Sequence, residues 1–107
     1  ETIVEAANRE FKEETGLSAK LTFRGVNHKT DYSKQGILLE DKIFFVFKAT
    51  NLKGEFMSEF QGGKNFWLSL PEIKKTKNLF PDVLDKLKLV ESKKIGFSEK
   101  KFFVNEF

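Results

Sequence analysis

The stretch from Glu1 to Leu17, ETIVEAANREFKEETGL, limits what the rest of the chain can build. Laid on a helix at about 100° per residue, it sorts into distinct faces. Val4, Ala7 and Phe11 fall on one apolar stripe, and Glu10, Glu13 and Glu14 crowd into an arc of about 100° beside it. Glu5 and Lys12 point away from that arc. Gly16 supplies the positive φ that a helix stop requires, and Leu17 is placed to fold back on the last turn.

Three carboxylates on one arc repel one another. Glu10 with Glu13 and Glu10 with Glu14 are like-charge pairs at i+3 and i+4, each unfavourable by roughly 0.2–0.5 kcal/mol on an exposed helix. Arg9 reaches Glu13 at i+4 and relieves part of this, in the less favourable pair orientation. The plain reading of such an arc is a solvated acidic face. The sharper reading is a seat for a divalent cation, because Mg²⁺ takes oxygen ligands and is held by a few carboxylates together with substrate phosphates.

The spacing favours the second reading. Arg9-Glu10-Phe11-Lys12-Glu13-Glu14-Thr15-Gly16-Leu17 resembles the core of the Nudix box, G-x5-E-x7-R-E-U-x-E-E-x-G-U, where U is bulky and apolar. Glu1 stands eight positions before Arg9, where the pattern places its first glutamate. All eight specified residues that fall within the chain match, a far more specific signal than a lone glycine motif. The opening glycine of the box would lie six positions before Glu1. The resemblance therefore implies a single partial Nudix domain over residues 1–107, with a box remnant at 1–17 and the strands that precede the box left out. The implied fold is an α/β/α sandwich with a mixed sheet.

The composition is that of a globular chain: 39% apolar residues, with 13 Phe to supply a core. A net charge of +3 arises from 19 basic and 16 acidic residues interspersed along the chain, a poor argument for a nucleic-acid polymer. Basic residues around an acidic metal site suit a polyphosphate instead. The absence of cysteine excludes a disulfide framework and thiol chemistry. No apolar run approaches the ~20 residues of a membrane span, so a cytoplasmic location is the default expectation.

After the helix, Ser18 to Asn27 alternates partly and reads as a strand, whereas His28 to Lys34 is polar and reads as a loop. His28, the single histidine, is expected as a surface loop residue rather than a ligand, and Tyr32 as an aromatic packing on the domain edge rather than stacking on a base. Gly36 to Leu39 adds a short apolar piece. Lys42 to Thr50, KIFFVFKAT, suggests a strand covered on both faces near the middle of a sheet. Asn51 to Glu55 reads as a turn, Phe56 to Gln61 is ambiguous, and Gly62-Gly63 is a second break.

Asn65 to Leu68 reads as a short strand. Ser69-Leu70-Pro71-Glu72 forms a capping-box pattern that starts a helix. Trp67 is expected in the core rather than against a base. Lys74, Lys75 and Lys77 form a basic cluster, read as a solvated face or as an attraction for phosphate. Pro81 opens an amphipathic helix over Asp82–Val90, expected across the sheet from the first helix. The tail from Lys93 reads as a terminal hairpin with a turn around Gly96–Lys101 and apolar Phe102, Phe103, Val104 and Phe107. Unpaired strands there invite a homodimer.

The family resemblance implies a hydrolase that splits the pyrophosphate of a nucleoside diphosphate linked to another moiety. An oxidised nucleoside triphosphate is favoured over ADP-ribose or a nucleotide sugar, because the closing segment is similar to that of housecleaning members. It implies that Glu10, Glu13 and Glu14, with Glu1 through water or in support of the preceding loop, hold Mg²⁺ or Mn²⁺. Arg9 would orient a helix carboxylate. Many relatives carry a further glutamate on a loop facing the helix; here Glu59 and Glu55 are candidates, Glu59 ahead, and Glu59 or a helix glutamate would be the general base. The expected partner is a small-molecule nucleotide, with no nucleic-acid polymer and no membrane. Two other classes stand beside this: a nucleotide-binding or regulatory Nudix-fold module without turnover, and an α+β interaction domain whose helix only resembles the box.

Overall fold

The computed structural model describes residues 1–77, 79 and 81–105. They form two compact units, one of Glu1–Thr22 with Lys48–Lys77, the other of Phe23–Phe47 with the described residues that follow Lys77. Two strands of 17 residues, β1 (Leu17–Ser33) and β2 (Leu38–Gly54), each contribute a segment to both units.

In the first unit, helix α1 spans Ile3–Thr15. Its start is fixed by a capping box that the sequence reading passed over. The Glu5 amide donates to Thr2 Oγ1 (3.1 Å), and the Glu5 carboxylate accepts from the Thr2 amide (3.3 Å). Its end is fixed by Gly16, at φ 78°, whose amide donates to Lys12 O. The predicted apolar stripe is only partly covered: Ala7 and Phe11 are half-buried, while Val4 is 50% exposed. Beyond β2, β3 (Glu59–Phe60) and β4 (Gly63–Lys64) pair antiparallel, and α1 packs on β3.

Asn65–Leu68 is irregular chain, not the expected strand, and Phe66 and Trp67 are exposed. Trp67 packs on Phe56, ring centroids 4.9 Å apart, rather than entering the core. The predicted capping box forms at Ser69 and Glu72, with Pro71 in the first turn, and begins α2 (Leu70–Lys75). The Ser69 amide holds the Glu72 carboxyl below the usual carboxylate range.

The second unit is built on a mixed sheet ordered β2-β1-β5, where β5 is Gly96–Val104. Ser33 donates to Ile37 O and Gly36 to Ser33 O, closing the tight turn from β1 into β2. β5 runs parallel to β1 in a register from Gly25↔Gly96 to Ser33↔Val104. A Cβ on Gly25 would lie 2.2 Å from Gly96 O, so facing glycines permit the close approach where the parallel pair begins. Helix α3 (Val83–Glu91) packs on β5 and buries Leu89.

Three expectations are corrected here. His28–Ser33 is strand, not loop: parallel pairing with β5 gives these polar residues ladder partners, and Asn27, Lys29, Thr30, Asp31 and Ser33 are buried. β2 lies at the edge of the described sheet rather than near its middle, because β1 takes both neighbours. Val46 is buried while Ile43 and Phe45 stay exposed. The tail is one strand with no turn at 96–101. Phe107, read with the apolar tail, lies outside the described residues.

His28 joins three strands. Its Nδ1 stands 2.7 Å from Glu99 on β5 and its Nε2 2.6 Å from Asp41 on β2. Both carboxylates accept, so both ring nitrogens must carry protons, and the hydrogen bonds to Glu99 and Asp41 raise the His28 pKa. A histidine pKa raised by folding contributes stability that is complete below the unfolded value and is lost as pH rises through the folded one. Denaturant midpoints compared across that interval should therefore fall with rising pH. The fall should shrink in His28→Gln; an identical profile in both proteins would refute the assignment.

Candidate active site

Within the first unit, Glu13, Glu14, Phe60, Gln61 and Gly62 line a cleft of about 500 Å³. The helix supplies the two carboxylates from its last turn, and the β3–β4 turn supplies the opposite wall. Arg9, one turn earlier, organises the acidic arc. Its Nη2 lies 2.6 Å and its Nε 3.0 Å from the two Glu1 oxygens, and its Nη1 is 3.1 Å from Glu13. Glu10 is more distant, at 3.7 Å. The guanidinium holds the Glu1 carboxyl below its usual range, and Glu1 and Glu13 together push the arginine pKa up. Helical spacing offers Arg9 one partner at i+4; the structure adds Glu1, in a fork that fixes the chain just before the helix.

The two loop candidates differ. Glu59 lies on β3 with its carboxylate mostly exposed and 4.0 Å from Lys64 Nζ, outside the set that lines the cleft. Glu55 is exposed on the connector, and its backbone oxygen faces Gly16. Phe60 and Gln61 line the cleft and are not among the sequence candidates; the glycine pair that follows Gln61 is the available signal. Asn65 was read merely as part of a strand, yet its side chain reaches the end of α1.

Among the described residues no three His, Asp or Glu side chains are gathered as metal ligands. The chemistry of the donor set nevertheless fits a hard cation: Glu10, Glu13 and Glu14 are exposed oxygen donors at i, i+3 and i+4, and Glu13 and Glu14 line the cleft.

The second unit holds a separate cavity of about 520 Å³. Three ion pairs stand in its wall: Lys29–Asp31 (3.2 Å), Lys42–Glu40 (3.1 Å) and Lys86–Asp82 (2.8 Å). Lys86 Nζ also sits 3.4 Å above the centre of the Phe44 ring. Burial pushes the Asp82 carboxyl up, but Lys86 outweighs it and the net shift is downward; Lys42 lowers Glu40. Tyr32 packs against Phe103 at 5.8 Å, and His28 is occupied by its two carboxylates.

The chain belongs to the Nudix family: the profile of the NUDIX domain matches residues 1–90. A solved structure similar to it is that of the mMutator MutT protein from Bacillus halodurans, with TM-score 0.77, 25% identity, and coverage of 96% of this chain and 67% of that one. No curated protein matches at a significant level. The chain is thus a Nudix pyrophosphohydrolase for nucleoside diphosphates linked to another moiety, with small-molecule nucleotides as substrates. Enzymes of this family generally use divalent metal ions. No helix among the described residues is long and apolar enough to cross a membrane.

Proposed function

We propose that the protein hydrolyses an oxidised nucleoside triphosphate in a Mg²⁺- or Mn²⁺-dependent reaction, with ADP-ribose or a nucleotide sugar as the second choice of substrate. The observation that carries the reading is the acidic arc of α1, with Glu13 and Glu14 opening into the cleft while Arg9 ties Glu13 to Glu1. Glu10, Glu13 and Glu14 would hold the metal, with Glu1 in support. When bound, the ion neutralises the diphosphate and makes a coordinated water more acidic.

The chain's own residues do the rest. Arg9 restrains the Glu13 carboxylate, so that one of its orientations is favoured. A carboxylate accepts a proton from the attacking water: Glu13 or Glu14 at the cleft, or Glu59 on the neighbouring strand. The water oxygen forms a bond to phosphorus as the P–O–P bridge breaks. The bridging oxygen leaves with the second phosphate-containing product. Phe60 and Gln61 narrow the cleft against bulk water.

The choice of an oxidised nucleotide rests on the closing segment, which is similar to that of housecleaning members of the family. The test is turnover of a nucleotide panel with Mg²⁺, Mn²⁺ and chelator. The expected result is metal-dependent hydrolysis with the highest kcat/KM on the oxidised triphosphate. Equal rates on oxidised and ordinary nucleotides would remove the base preference, and binding without turnover would favour a regulatory module.

A further inference from the structure

The last carbonyls of a helix have no partner within it and must find one elsewhere. In α1 the Lys12 carbonyl is taken by the Gly16 amide, and the Thr15 carbonyl by the Met57 amide at 2.8 Å. The Glu14 carbonyl is taken by a side chain 51 residues on: Asn65 Nδ2, at 2.5 Å. The same nitrogen donates to Met57 O at 3.0 Å, and the Asn65 backbone amide donates to Ser58 O at 2.8 Å. One amide group therefore joins the helix end to both sides of the β3–β4 hairpin. An amide nitrogen carries two protons, one for each carbonyl; a hydroxyl or a carboxylate cannot supply both.

The elements so joined are the two walls of the cleft, Glu13 and Glu14 on the helix and Phe60, Gln61 and Gly62 on the hairpin turn. We propose that Asn65 is a positioning residue for the hydrolysis, fixing the helix carboxylates against the hairpin that carries Glu59, Phe60 and Gln61. The inference rests on the assignment of those carboxylates above. Asn65 lies outside the residues that line the cleft; it acts through the carbonyls of Glu14 and Met57. Because both of its bonds go to backbone oxygens, removing it frees whole segments rather than one side chain.

The test compares the parent protein with Asn65→Ala and with Asn65→Asp, which keeps the shape but turns two donors into acceptors. Four quantities are read: kcat and KM on the best nucleotide, Mn²⁺ affinity without nucleotide by electron paramagnetic resonance, and hydrogen exchange at the Met57 amide. The expected result is a 10- to 100-fold loss in kcat or in Mn²⁺ affinity, the range seen when a ligand's support is removed, with KM for nucleotide changed less than about threefold. Met57 exchange should accelerate in both variants, more in Asn65→Asp. A lower melting temperature with kcat and Mn²⁺ affinity both within twofold of the parent would leave Asn65 as a structural strut and overturn the proposal. A parent protein that neither turns over nucleotide nor binds Mn²⁺ would overturn the hydrolytic assignment itself, and the positioning role with it.

Discussion

Glu14→Gln is expected to lower kcat by about 10²- to 10⁴-fold, the usual contribution of a positioned acid or base, while leaving the protein folded. Glu14 lines the cleft and is exposed, so the substitution removes charge without opening a cavity. Its melting temperature should stay level or rise slightly, because one like-charge pair worth roughly 0.2–0.5 kcal/mol is relieved. Glu13→Gln should cost activity similarly and also weaken one arm of the Arg9 fork, whose other arm on Glu1 remains. Glu5→Ala is the contrasting control. Glu5 belongs to the capping box and lies away from the acidic arc, so its loss should reduce stability without reducing kcat. Steady-state kinetics and thermal melts on the three variants separate the outcomes. If Glu13→Gln and Glu14→Gln both keep parental kcat, the arc is only a solvated face.

Gly16→Ala is expected to destabilise the protein by about 2–5 kcal/mol. Left-handed backbone at φ 78° costs an L residue roughly 1–2 kcal/mol. The larger part is contact: a Cβ there would sit 2.2 Å from Glu55 O and 2.8 Å from Met57 Cγ, so the connector 55–57 must move, an overpacking cost of about 1–3 kcal/mol. Gly36→Ala provides the calibration, because φ is +86° but nothing lies within 4 Å of its Cβ. Chemical denaturation should show Gly36→Ala losing only the backbone contribution, about 1–2 kcal/mol. Equal losses at the two sites would mean that the Glu55 contact carries no energy.

Much of the first unit was legible from residue order. The Glu1–Leu17 pattern placed a helix and its glycine stop, and Ser69 with Glu72 placed the start of α2. Both are local devices, in which a side chain bonds the backbone three residues away or a glycine takes a φ that others avoid. Reading failed where a residue's state depends on a distant strand. His28–Ser33 is polar and looks like a loop, yet parallel pairing with residues 99–104 makes it strand and buries Lys29 and Asp31 as a pair. NFWL has strand-like composition but no neighbour to pair with, so Phe66 and Trp67 remain outside any ladder. KIFFVFKAT was read as a doubly covered strand because composition reports apolarity, not position in a sheet.

The sequence by itself determined the family, the helix that carries the carboxylates, and the spacing that sets Glu10, Glu13 and Glu14 on one arc, since helical periodicity converts sequence separation directly into direction. Only the tertiary structure decided which of those carboxylates meet a cleft, that Arg9 reaches back to Glu1, and that Asn65 closes the helix end against the hairpin. These depend on contacts between residues as far as 51 positions apart, and such pairings are set by packing and hydrogen-bond satisfaction, which no local pattern records.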